Sequence, residues 1–142
     1  MKRIELTIDA VKTAVEPGAT ILEAAESLGI EVPTLCYHPK LTPSGVCRLC
    51  VVELEGSSAL VPSCSRLAEE GMVILTASDR VKAARRMVLE LLMSTADISK
   101  SEELLRYARR YGASRDRFPA AARAFPVMDD NPFYMRDYSR CV

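Results

Sequence analysis

Residues 30–64 read IEVPTLCYHPKLTPSGVCRLCVVELEGSSALVPSC, and this stretch decides the fold. Cys36, Cys47, Cys50 and Cys64 stand in the pattern C-x10-C-x2-C-x13-C. Pro39, Pro43 and Gly45 interrupt the first interval, so Cys36 to Cys47 is an irregular loop. Val51–Glu55 has strand character, Gly56-Ser57-Ser58 is a turn, and Ala59–Pro62 is the returning strand. The Cys47–Cys50 pair can be presented by one tight turn. Cys36 and Cys64 must be carried to it by the fold.

Outward from this core, the upstream chain reads as a hairpin and a helix. Ile4, Leu6 and Ile8 alternate on one strand face, Asp9-Ala10 is a turn, and Val11–Val15 returns. Pro17-Gly18 breaks the chain. Thr20 and Glu23 form a capping box that opens a helix, with Ile21, Ala24, Ala25 and Leu28 on its apolar face and Gly29 as its stop. Downstream, Met72–Thr76 is a further strand. Ser78 or Asp79 caps a helix running to about Met93, with Val81, Ala84, Val88, Leu91 and Leu92 as its apolar stripe. A second helix runs from Ser101 to Tyr111 and ends at Gly112. Its Leu104, Leu105, Ala108 and Tyr111 face one way and Arg106, Arg109 and Arg110 another, either as a solvated face or as a docking patch. Beyond Gly112 the chain reads as mostly extended.

Composition narrows the function. The 142 residues carry 19 Lys plus Arg and 19 Asp plus Glu, a net charge of zero that gives no global reason to bind nucleic acid or an acidic membrane. A single histidine, His38, excludes chemistry that needs several. Residues 4–16 alternate instead of forming an unbroken apolar run, so no signal peptide is legible, and MVLELLM at 87–93 is too short to span a bilayer. A cytoplasmic location is the default, where clustered cysteines point to metal before disulfides.

Four thiolates are what a [2Fe–2S] core takes, two per iron. Cys36, Cys47, Cys50 and Cys64 are therefore the expected metal ligands and cofactor-binding residues, and no catalytic residue is expected. Ser44, Gly45 and the loop N–H groups are suited to hydrogen-bonding the sulfurs, which favours the reduced cluster and tunes its potential. A four-cysteine zinc site is the alternative, although zinc modules usually use two close ligand pairs. His38 could ligate, as in Rieske centres, but four cysteines already complete a site, leaving it a supporting or packing role. Cys141 cannot hold a cluster alone.

The runs TILEAAESLGI (20–30), IEVPTLCYHPKLTPSGVCRLCVVELEG (30–56) and VPSCSR (61–66) resemble the N-terminal [2Fe–2S] domain of the large iron–sulfur subunit of respiratory complex I. That domain also occurs in NAD-linked formate dehydrogenases and multi-cluster iron-only hydrogenases. The resemblance covers roughly the first 90 residues. It implies an α+β fold, a β-grasp ferredoxin-like domain with a helix packed across a twisted mixed sheet, followed by a helical segment and an extended tail.

In that family a module with a [4Fe–4S] cluster on one His and three Cys follows. SDRVKAARRMVLELLMS (78–94) and LLRYARRYGASRDRF (104–118) resemble its scaffold, but TADISKSEELL (95–105) lacks the ligands. NPFYMRDYSRCV (131–142) resembles the approach to a further pair of [4Fe–4S] clusters. The expected organisation is a [2Fe–2S] domain at 1–77, a metal-free helical segment at 78–112 and a linker at 113–142. The chain is read as a fragment of a longer protein or as a naturally short subunit.

The expected function is one-electron relay on one [2Fe–2S] cluster within a larger NAD-linked oxidoreductase of formate dehydrogenase, hydrogenase or NADH dehydrogenase type. The chain is expected not to be catalytic alone, and its partners are the other subunits or domains. A zinc-stabilised binding module and a free-standing soluble ferredoxin are the alternatives.

Overall fold

The computed structural model describes residues 2–118 and 126–140. It divides into two compact units, 1–85 and 86–142.

The first unit is built on a five-stranded mixed sheet: β1 (Ile4–Ile8), β2 (Val11–Val15), β3 (Val51–Leu54), β4 (Leu60–Pro62) and β5 (Val73–Leu75), in the order β2-β1-β5-β3-β4. β1 pairs antiparallel with β2 from Ile4↔Val15 to Ile8↔Val11, which leaves a two-residue turn at Asp9-Ala10. Both turn residues have positive φ, 45° and 68°, the twist that two-residue hairpins favour. Asp9 is held there by its carboxylate, which accepts from the Thr76 N–H at 2.8 Å and from the Thr76 hydroxyl. β5 runs parallel to β1 and antiparallel to β3, so the strand that arrives last lies in the middle of the sheet.

Helix α1 (Ile21–Ser27) packs its buried Ile21, Leu22, Ala24 and Ala25 into a core with Leu6, Ile8, Val15, Val52 and Ile74. Burying a side chain of this size contributes roughly 1.5–3 kcal/mol. The capping box at Thr20 and Glu23 is present in both directions. The remaining first-turn donors go to the chain around Cys64, with Ile21 N–H on Arg66 O at 2.9 Å and Leu22 N–H on Ser63 O at 3.0 Å. Helix α1 is thereby fastened beside the cysteines, and the architecture is the expected α+β, β-grasp arrangement.

Helix α2 (Asp79–Thr95) begins at Ser78, whose Oγ accepts from Val81 N–H at 3.3 Å and donates to Glu53. Its buried stripe differs from the expected one. Val81, Arg85, Leu89 and Glu90 are buried, whereas Leu91 is 48% exposed. The apolar pattern misleads because two charged residues are buried with partners. Arg85 donates to Val51 O at 2.8 Å within the first unit. Within the second unit, Glu90 accepts from Arg86 at 2.8 Å and Arg117 at 2.9 Å.

The second unit also contains α3 (Glu102–Tyr111), capped by Ser101 and stopped by Gly112 in the left-handed conformation. Leu104, Tyr107 and Ala108 are its buried residues. Tyr107 thus takes the core place expected of Tyr111, while Arg106, Arg109 and Arg110 are exposed as expected. Residues 126–140 carry a bridge between Met128 and Arg136, a turn at residues 132–133 and one short 3-10 turn, Tyr138–Arg140. Asp97 N–H donates to Ser139 O at 2.7 Å, which ties this segment within its own unit. No helix among the described residues is long and apolar enough to cross a membrane.

Candidate metal centre

Cys36 opens the irregular loop, Cys47 ends it, Cys50 immediately precedes β3, and Cys64 follows β4 by two residues. The antiparallel pairing Val51↔Pro62 brings the last two together. Ser63 completes the clamp, with its Oγ donating to Cys50 O at 2.8 Å and its N–H to the same oxygen at 3.2 Å. Ser63 is wholly buried. Its only signal in the sequence is a small hydroxyl residue between Pro62 and a cysteine.

The thiols fall into two touching pairs. Cys36 and Cys47 share a side-chain hydrogen bond, and each also receives the other's backbone N–H. Cys50 and Cys64 share the second side-chain hydrogen bond. The first pair is partly exposed and the second is buried.

Electrostatics separates the pairs further. Burial pushes the Cys36 thiol up, but donors from the Ser44 hydroxyl and the Cys47 and Val46 N–H groups outweigh it and leave the thiol at about 7. Burial, then the Cys50 thiol and the charges of the other three sulfurs, push Cys64 up to about 12. Cys47 is also raised, first by burial, against the opposing N–H of Leu49. Four sulfurs that repel one another as thiolates suit a multiply charged metal centre, which displaces their protons as it binds.

Two backbone features shape this pocket. Gly45 has φ +63°, and a Cβ there would stand 3.1 Å from Ser65 Oγ, so the loop passes close to the turn after Cys64. Arg48 is left-handed at φ +61°, which costs a non-glycine residue about 1–2 kcal/mol. That turn lets Leu49 N–H reach back to the Cys47 sulfur. His38 is exposed, and its Nδ1 accepts from Lys40 N–H at 3.2 Å, so it shapes the loop. Cys141 lies outside the described residues.

The donor set fits a two-iron centre. Four cysteine sulfurs in two adjacent pairs would supply two ligands to each of two irons. The model of the 2Fe-2S iron-sulfur cluster binding domain family matches residues 1–79.

The chain belongs to that family. As a 2Fe-2S cluster binding domain, it is 34% identical to the mitochondrial NADH-ubiquinone oxidoreductase 78 kDa subunit of Candida albicans, over 100% of this chain and 21% of that protein. It is 36% identical to an NADH-quinone oxidoreductase subunit of Rhizobium meliloti, over 98% and 17%. It is 37% identical to the NADP-reducing hydrogenase subunit HndD of Solidesulfovibrio fructosivorans, over 100% and 26%. The chain thus spans about a sixth to a quarter of these relatives' length. Among solved structures, a chain of the NAD+-reducing [NiFe]-hydrogenase in its H2-reduced state superposes with a TM-score of 0.82 at 30% identity, over 97% of this chain and 61% of that one.

Proposed function

We propose that the chain is a one-electron relay module of a larger NAD-linked oxidoreductase, with Cys36, Cys47, Cys50 and Cys64 as the ligands of one [2Fe–2S] cluster. The observation that carries this reading is the pairing of Cys36 with Cys47 and of Cys50 with Cys64 inside the family-matched domain. When bound, the cluster supplies a site that takes up and returns one electron. The chain's own residues do the rest. The loop N–H groups of Val46, Cys47 and Leu49 and the Ser44 hydroxyl favour negative charge on the outer sulfurs. The Ser63 clamp keeps the inner pair dry and fixed.

Residues 1–77 would form the carrier domain. Residues 78–112 would be a helical scaffold without metal ligands, and 113–142 a linker toward the other parts of the enzyme. The partners are other subunits or domains of a multi-cluster oxidoreductase in the cytoplasm. The relatives' names support the partner assignment, all three being oxidoreductase or hydrogenase subunits.

Iron and acid-labile sulfide analysis of the anaerobically reconstituted chain tests it. About two irons and two sulfides per chain are expected, with a paramagnetic signal that appears on one-electron reduction. A colourless, redox-silent protein holding one zinc would overturn the relay.

A further inference from the structure

The loop that carries the outer cysteines also presents exposed apolar and basic side chains. Leu41 and Val46 are 68% and 74% exposed. Val46 directly precedes Cys47, and its N–H meets the Cys36 sulfur, so this exposed residue lies beside the outer pair. Lys40 and Arg48 flank the two, both exposed. Among the described residues, neither side chain makes a hydrogen bond or ion pair.

The charge here is local. The chain has zero net charge, yet no carboxylate occurs between Glu31 and Glu53. Arg66, beyond Cys64, is taken by Glu69 at 2.8 Å. The acids that act near the site, Glu26 and Glu23, bear on Tyr37, and Glu23 is held in the capping box. Arg48 adds a separate indication. Its left-handed backbone serves the turn, which glycine would adopt without strain. The side chain bonds nothing within the described residues, and what it contributes is an outward positive charge.

We propose that Lys40, Leu41, Val46 and Arg48 form the face on which an electron-transfer protein docks, and that this partner presents an apolar contact ringed by carboxylates. The proposal rests on the relay reading. The partly exposed pair Cys36 and Cys47 lies at this face, whereas Cys50 and Cys64 are buried, so the short way out for the electron is here.

The test uses the reconstituted chain, reduced with dithionite and mixed with three one-electron acceptors: ferricyanide, hexaamminecobalt(III) and the acidic protein cytochrome b5. Each reduced chain gives up one electron, one acceptor metal is reduced from the trivalent to the divalent state, and no bond is made or broken in the protein. In Lys40→Glu/Arg48→Glu at low salt, oxidation by ferricyanide and cytochrome b5 should slow by about tenfold or more, while hexaamminecobalt should react faster. These differences should vanish near 1 M salt, where the Debye length is about 3 Å. Leu41→Ser should slow cytochrome b5 and leave ferricyanide unchanged. Arg48→Gly relieves the backbone and removes only the charge, so it should reproduce part of the ferricyanide loss even if the double reversal fails to fold. An unchanged anion-to-cation rate ratio in Arg48→Gly and in the double reversal, with the iron–sulfur spectrum intact, would overturn the docking face. A cytochrome rate indifferent to the Leu41 change would overturn its apolar half. Absence of the reduced iron–sulfur signal in the unmodified chain would instead bring down the relay reading, and the docking face with it.

Discussion

Cys64 shows what the site demands of single residues. Burial and the sulfurs around it push its thiol up to about 12, so a bound metal centre would have to offset that cost for all four to serve as thiolates. Replacement of Cys36, Cys47, Cys50 or Cys64 by Ala should each abolish or strongly destabilise the visible spectrum, and Cys141→Ala should leave it unchanged; absorption with iron analysis checks both. Ser63→Ala should cost about 1 kcal/mol, the worth of one buried hydrogen bond, because its N–H still serves Cys50 O. Denaturant unfolding would measure it. Gly45→Ala should cost more, since it adds left-handed strain to a 3.1 Å approach on Ser65 Oγ; Ser65→Gly in the same chain should recover only the crowding. Cysteine spacing made the convergence of the four legible. It could not say which sulfur meets which, nor reveal Ser63, because both follow from the non-local pairing of β3 with β4.

Among the elements, those governed by local signals were the most readable. The Asp9-Ala10 turn, the Thr20 capping box, the Ser101 cap and the Gly112 stop all depend on residues within a few positions of one another. Buried faces were read less well. Leu22 in α1 is fully buried although it lies outside the expected stripe, since the chain around Cys64 covers a second side of that helix. In α2, the apolar period could not anticipate burial of Arg85 and Glu90, whose partners Val51 and Arg117 are far away in sequence. A consequence for α1 is measurable. Thr20→Ala removes the acceptor for Glu23 N–H at 3.2 Å and should cost about 1 kcal/mol. Because this helix end is bonded to Ser63 and Arg66, the loss should also speed cluster release under chelator, read as bleaching.

For the molecule as a whole, the buried carboxylate of Glu90 sets an acid limit. Arg86 beside it holds its pKa below the usual carboxylate value, against the opposing effect of burial and with further help from Arg117. A carboxyl depressed on folding contributes stability that is present above its unfolded pKa and lost as pH falls through its folded one. The second unit should therefore lose amide protection on acidification into and below the ordinary carboxylate range. Glu90→Gln should be less stable at neutral pH and flatter across that range. Hydrogen exchange by mass spectrometry, restricted to peptides from 86–118, would follow this apart from any acid loss of iron.

The position of β5 bears on how such a chain comes off the ribosome. Cys36, Cys47, Cys50 and Cys64 all lie, in sequence, between β1 and β5, two strands that end side by side. The hairpins β1–β2 and β3–β4 can each form from neighbouring residues, but they join into one sheet only when Val73–Leu75 inserts between them. Closing so long a connection is slower than forming a hairpin. During synthesis there is thus an interval in which all four of these thiols have emerged while the two halves of the sheet are unjoined. Delivery of iron and sulfide in that interval meets an open nest of thiols; delivery afterwards meets two that are already buried.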